Sequence, residues 1–161
     1  MTTGLKPRDF AWVIGKRLAT SARLGGQGFQ HRRVRRQEEI AWLLQSGFTT
    51  VVSLLTGTQN VNSYEEAGLA VYRAPVDLES DPEVVEQAFN TIHEALSEAD
   101  SRVLVHRDYV DDAVAGVLAG YVVFSGLVQD PRLATMAIQA VIGRPLGPGA
   151  RALIPSAGLV R

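Results

Sequence analysis

The chain has 161 residues, 46% of them hydrophobic and 20% charged, with a formal net charge of -1. That length and balance fit one globular domain with a full core, and near-neutrality argues against a molecule built as a whole for nucleic acid or an anionic membrane. There is no cysteine, which excludes disulfides, zinc–thiolate sites and thiol nucleophiles. Lysine occurs only at Lys6 and Lys16 against many arginines, a bias that points to a GC-rich bacterial genome. The opening "MTTGLKPRDF" lacks the apolar core of a signal peptide. The apolar run from Ala113 to Val128 is short for a bilayer and is interrupted by Gly116, Gly120, Ser125 and Gly126, so a buried core helix and a cytoplasmic protein are expected.

In chain order, "FAWVIGKRLATSA" predicts a short strand, a turn at Gly15 and a second extended piece. Val34 to Ser46 predicts a helix with Ile40, Leu43 and Leu44 on one face and Gly47 as its stop. "FTTVVSLL" is rich in β-branched residues and predicts a buried strand; "TGTQNVNS" is a polar loop and "YEEAG" a short helical turn. "LAVYRAPV" predicts the next strand, ended by Pro75. Asp81-Pro82 opens an amphipathic helix, aspartate as cap and proline at its first position, with Val85, Ala88, Phe89, Ile92 and Leu96 on one stripe. "RVLVH" is a further buried strand, followed by a long apolar helix from about Asp112. Asp130-Pro131 repeats the cap-plus-proline start for a helix ending near Gly143. The Gly- and Pro-rich remainder, residues 146–161, is expected either to wrap the surface of a domain spanning residues 1–145 or to be partly mobile.

Strands alternating with helices predict a single α/β domain, its sheet mostly parallel, with four to five strands and helices on both faces. Ligands in such folds sit beyond the carboxyl ends of the strands, which here means the stretch His106 to Asp112. A strand, a loop and a helix N-terminus form an anion cradle, because the free amides of the helix start face the loop. This loop nevertheless carries Asp108, Asp111 and Asp112, which repel an anion.

The order "FAWVI…RLATSA", "GFTTVVSLL", "LAVYRAPVDLESDP", "VLVH" and "GVLAGYVV" resembles the dual-specificity phosphatases of the cysteine-dependent tyrosine phosphatase superfamily, over roughly residues 10–145. The resemblance implies that fold, and a loop of the form His-Cys, five residues, Arg, then Ser or Thr. There a low-pKa thiolate attacks phosphorus while loop amides and the arginine hold the phosphoryl oxygens, and an aspartic acid protonates the leaving group. This chain departs at each of those positions. His106 remains, but the nucleophile's place holds Arg107, which has no nucleophilic form at physiological pH. The intervening Asp108, Tyr109, Val110, Asp111 and Asp112 include Val110 where the family has glycine. Ala113 replaces the phosphate-gripping arginine and Val114 the hydroxyl. In "PVDL", Leu78 stands in the acid's slot and Asp77 one residue early. The resemblance therefore implies a pseudophosphatase, catalytically inactive and acting by binding.

The tripeptide "HRD" at 106–108 also matches a protein-kinase catalytic loop, but Ala113 stands where that motif needs asparagine and the rest of the kinase set is missing. Asp108, Asp111 and Asp112 offer oxygen ligands for a divalent cation, and the alternative function is a hydrolase that is either metal-assisted or uses Asp108 or Asp111 as nucleophile, with Asp77 or Asp81 supplying the acid. The simpler expectation is a solvated loop whose last carboxylates cap the helix, with Arg107 pairing to one of them. No cofactor and no metal are expected. "HRRVRRQEE" concentrates Arg32, Arg33, Arg35 and Arg36 at a helix start, against the macrodipole. They are either a docking surface for an acidic partner, a phosphorylated peptide or nucleic acid, or a solvated face balanced by Glu38 and Glu39. A protein or phospho-ligand partner is expected, nucleic acid and membrane are not, and a dimer contact through the long apolar helix or the tail is left open. His93 is read as surface, His106 as a structural hydrogen-bonder, and Trp12 and Trp42 as core aromatics.

Overall fold

The computed structural model describes residues 4–26 and 32–158, the side chain of Arg32 excepted. The elements are β1 Ala11–Ile14, β2 Leu18–Ser21, α1 Arg32–Gln45, β3 Thr50–Ser53, α2 Val61–Glu66, β4 Ala70–Arg73, α3 Pro82–Ala95, β5 Val103–His106, α4 Asp112–Phe124, α5 Pro131–Ile142 and α6 Pro148–Ala152. The strands form one five-stranded sheet in the order β1-β2-β5-β3-β4. Only β1 and β2 run antiparallel; the other pairs are parallel. The expected α/β domain with a mostly parallel sheet is what the chain forms.

The central strands β2, β3 and β5 are buried along their whole length, as strands covered on both faces must be. Their side chains alternate between two cores. Leu18, Val52, Val103 and Val105 face α3, α4 and α6. Ala19, Val51 and Leu104 face the opposite way, toward Ile40 and Leu43 of α1 and Tyr64 of α2. The same alternation turns His106, two residues beyond Leu104, toward the α1–α2 side. That places the last residue of β5 at the carboxyl edge of the sheet, paired with Ser21 on one side and Ser53 on the other.

Helix α4 is apolar on every side, and every residue from Ala113 to Phe124 is buried. It is the interior helix of the domain. Gly116 and Gly120 allow close approach: a Cβ at Gly116 would stand 2.6 Å from the Ala150 carbonyl, and one at Gly120 would meet the Phe89 ring and the Leu153 carbonyl. The segment received there is α6, within the stretch predicted to wrap the surface. Leu146 and Ala150, 2% and 0% exposed, instead join the main core. Gly147-Pro148 is a helix start with proline in its first turn, and the glycine face of α4 leaves it room.

Two further expectations differ in detail. Leu44 is 43% exposed rather than on the packed face of α1, since Ile40 and Leu43 already fill that stripe. Trp12 and Trp42 are half-buried at the rim, in a ring cluster with Phe10 and Phe48. Trp12 stacks on Phe48 at 5.3 Å and Phe10 meets Trp42 edge-on at 4.9 Å. Among the described residues no helix is long and apolar enough to cross a membrane.

Candidate functional site

The loop from β5 to α4 begins at His106, whose side chain is fully buried. Its Nδ1 lies 2.9 Å from the Arg107 carbonyl, an acceptor only, so Nδ1 carries the proton and donates. Nε2 of the neutral ring then accepts from the Tyr64 hydroxyl at 3.1 Å. The Tyr64 oxygen in turn accepts from Asn60 Nδ2 at 3.3 Å. Burial pushes the His106 pKa down to about 4 and that of the Tyr64 hydroxyl up. His106 is thus a neutral structural group tying β5 to α2, the role its apolar setting implies.

Arg107 does not reach into the loop. Its Nη1 donates to the Val76 carbonyl in the segment before Asp77. Its Nε is buried without a hydrogen-bond partner, and Asp111 Oδ2 lies 3.8 Å away, an ion-pair distance only. Arg107 therefore fastens the loop to the neighbouring strand exit.

Each of the three carboxylates already has donors. Asp108 Oδ1 accepts from Arg23 Nη1 at 3.0 Å, and the Asp108 carbonyl accepts from the Arg23 amide at 3.0 Å. Asp111 is the N-cap of α4, accepting from the Val114 amide at 3.0 Å. That takes up one of the amides an anion would need. Asp112 Oδ1 accepts from Arg144 Nη1 at 2.7 Å and Oδ2 from the Gly147 amide at 3.2 Å. Arg144 Nη2 also donates to the Val110 carbonyl at 2.9 Å. Tyr109, 58% exposed, is the outer residue of the loop. Among the described residues no three His, Asp or Glu side chains are grouped so as to hold a metal ion.

Ala113 and Val114 are 4% and 0% exposed. Beside them lies an open cleft of about 470 Å³ lined by Asp77, Leu78, Glu79, Arg107, Asp111 and Asp112. Asp77 closes its own turn, accepting from the Glu79 amide at 2.8 Å and the Ser80 hydroxyl at 3.3 Å. The residues that sequence reasoning missed are Arg23 and Arg144, which lie 85 and 32 positions from their carboxylates, together with Asn60 and Tyr64. Nothing local marks any of these as partners of the loop.

The arginine segment does not form one solvated face. Arg35 Nε pairs with Glu39 Oε1 at 3.0 Å, and Glu39 is 1% exposed and also accepts from the Gly25 amide at 3.0 Å. Glu39 is therefore a buried anchor for the segment after β2 rather than a surface counter-charge. Arg36 Nη1 contacts Asn60 Oδ1 at 3.4 Å, and its Nε is buried without a hydrogen-bond partner. Arg33 is exposed. The side chain of Arg32 lies outside the described residues, as does His31.

No family model matches the chain, and no curated protein matches it by sequence. Solved structures do match in fold. Tk-PTP in its active form superposes with a TM-score of 0.70 at 17% identity, over 89% of this chain and 91% of that one. The kinase associated phosphatase KAP, with serine substituted for its catalytic-site cysteine, gives 0.73 at 15% identity over 91% and 92%. Human DUSP28 gives 0.65 at 18% identity over 92% of each chain. At such low identities the likeness is one of architecture: this chain has the fold of the protein tyrosine and dual-specificity phosphatases.

Proposed function

We propose that this chain is a non-catalytic protein on a phosphatase fold, acting by binding rather than by turnover. The observation that carries this reading is the self-satisfaction of the loop. Arg23, Arg144 and the amides of Val114 and Gly147 occupy its three carboxylates, and Arg107 is spent on the Val76 carbonyl. A phosphoryl group entering there would meet carboxylates in place of the arginine that grips it in the phosphatase loop, and no thiolate. Oxyanion stabilisation and nucleophilic attack thus both lack their groups. The alternative, hydrolysis through a loop carboxylate, is less well supported. Asp111 is committed to the helix cap, Asp108 to Arg23, and Asp77, the nearest candidate for the acid, to its own turn.

Thermal unfolding with phosphate, tungstate and sulfate, and separately with Mg²⁺, Ca²⁺ and Mn²⁺, tests the reading. A ligand at ten times its dissociation constant stabilises by about 1.4 kcal/mol, roughly 2–5 °C for a domain of this size. No shift is expected from either group of ions. A cation-dependent shift abolished by Asp111→Asn would overturn the proposal in favour of metal-assisted chemistry.

A further inference from the structure

We propose that the groove between α1 and α2 is a docking site for an acidic peptide segment with an apolar anchor, on a protein partner. The inference rests on the binding reading above and names the partner's chemistry. The groove encloses about 640 Å³, the largest of the clefts described, and is lined on the α1 side by Arg33, Arg36, Ile40, Ala41 and Leu44. Counted from Arg33 they fall at offsets of three, seven, eight and eleven residues, so they lie along one side of the helix. Cations occupy the N-terminal part of this stripe and apolar side chains the C-terminal part. Among the described residues Glu66 of α2 is the only carboxylate on the groove's wall, so the groove is cationic at one end.

Three features are left over by the fold and are accounted for by such a ligand. The first turn of α1 contains no acidic residue, so its arginines add positive charge to the positive end of the helix dipole instead of offsetting it. An acidic side chain arriving there is attracted by both. Arg36 lines the groove, and its Nη1 makes one long contact, to Asn60 Oδ1 at 3.4 Å. Its Nε is buried, so an arriving carboxylate would meet the terminal nitrogens, in a charge-assisted bond stronger than that contact. Leu44 is 43% exposed at the other end of the groove, beside the nearly buried Ile40, where an apolar anchor would cover it. Among the described residues the groove wall has no aromatic side chain on which bases would stack, and the chain's net charge is -1. Both favour an acidic peptide over a nucleic acid.

The test is selection of random 12-residue peptides on the intact protein, followed by fluorescence-anisotropy titration of the winners. Anisotropy with a labelled oligothymidylate of about the same length, the single-stranded probe, is run beside it. The expected winners carry clustered Asp or Glu next to Leu, Ile or Met. Their affinity should fall about tenfold in Arg33→Glu and in Leu44→Ser, weaken with added salt, and stay unchanged in Arg132→Glu, a charge reversal on the distant α5. Arg33 and Leu44 are exposed, so both variants should fold, which circular dichroism checks. Winners without acidic enrichment, winners indifferent to both substitutions, or oligothymidylate binding through Arg33 in place of peptide would each overturn the proposal. Phosphoester turnover measured on the same samples separates the two claims. Turnover together with groove binding defeats only the non-catalytic reading, and neither turnover nor acidic-peptide binding defeats only the docking site.

Discussion

Arg144 and Asp112 meet at 2.7 Å, Nη1 to Oδ1, and with its other terminal nitrogen Arg144 holds the Val110 carbonyl at 2.9 Å. One side chain from the corner after α5 therefore braces both the start of α4 and the loop in front of it. With Arg23 on Asp108 and Arg107 on Val76, three arginines of the same chain tie the loop between β5 and α4 to its surroundings.

These contacts should matter more for shape than for stability. The Arg144 and Asp112 side chains are 40% and 30% exposed, so the ion pair itself is worth about 0–1 kcal/mol and the bond to Val110 about 1 kcal/mol more. Arg144→Ala should lower the unfolding free energy by about 1–2 kcal/mol. A double-mutant cycle with Asp112→Ala, followed by urea denaturation, should show a coupling of about 0.5–1 kcal/mol. Strictly additive losses would remove Arg144 from this account.

His106 makes stability pH-dependent. Its pKa is about 4 in the folded chain against 6.5 for a free histidine, so between those values the unfolded chain binds the proton that the folded one refuses. Stability contributed by the neutral ring is therefore full above about pH 6.5, falls as pH drops through that window, and levels off below about pH 4. The span is on the order of 3 kcal/mol. Denaturant unfolding of the wild type at stepped pH, compared with His106→Gln, should show this slope only in the wild type. Equal slopes would mean that another group titrates.

Much of this was legible in the sequence. The runs "FTTVVSLL" and "RVLVH" announced buried strands because their largely apolar character, without a polar residue at every second position, suits burial on both faces. Asp130-Pro131 announced α5 because its cap and its proline act locally, and the Asp130 carboxylate does accept from the Arg132 amide at 2.9 Å. The acidic cradle was equally plain. What closes it was not, because Arg23 and Arg144 reach their carboxylates through the fold, and no spacing rule connects residues on different elements. The inward turn of Arg35 toward Glu39 escaped for a related reason. A charge run reads as solvated until a buried carboxylate one helical turn away is known to need a partner. The packing of α6 was hidden by its composition, since glycine and proline mark a loop unless a neighbour offers a groove of glycines.

That groove gives a direct check of the packing. Gly116→Ala puts a methyl 2.6 Å from the Ala150 carbonyl, a backbone atom that cannot swing aside, and should cost about 1–3 kcal/mol by overpacking. Gly15→Ala, where nothing lies within 4 Å, should stay within about 0.5 kcal/mol of the wild type. Thermal melts of the two variants suffice. Equal midpoints would contradict the packing of α6 on α4.

The most direct test of the central claim is hydrolysis of p-nitrophenyl phosphate and of a phosphotyrosine peptide, from mildly acid to neutral pH, with and without Mg²⁺ and Mn²⁺. The thiol-free loop, its carboxylates already taken up by donors of the same chain, predicts a rate indistinguishable from buffer under every condition. Turnover that disappears in Asp108→Asn or Asp111→Asn while the protein stays folded would contradict it, and would make those carboxylates catalytic.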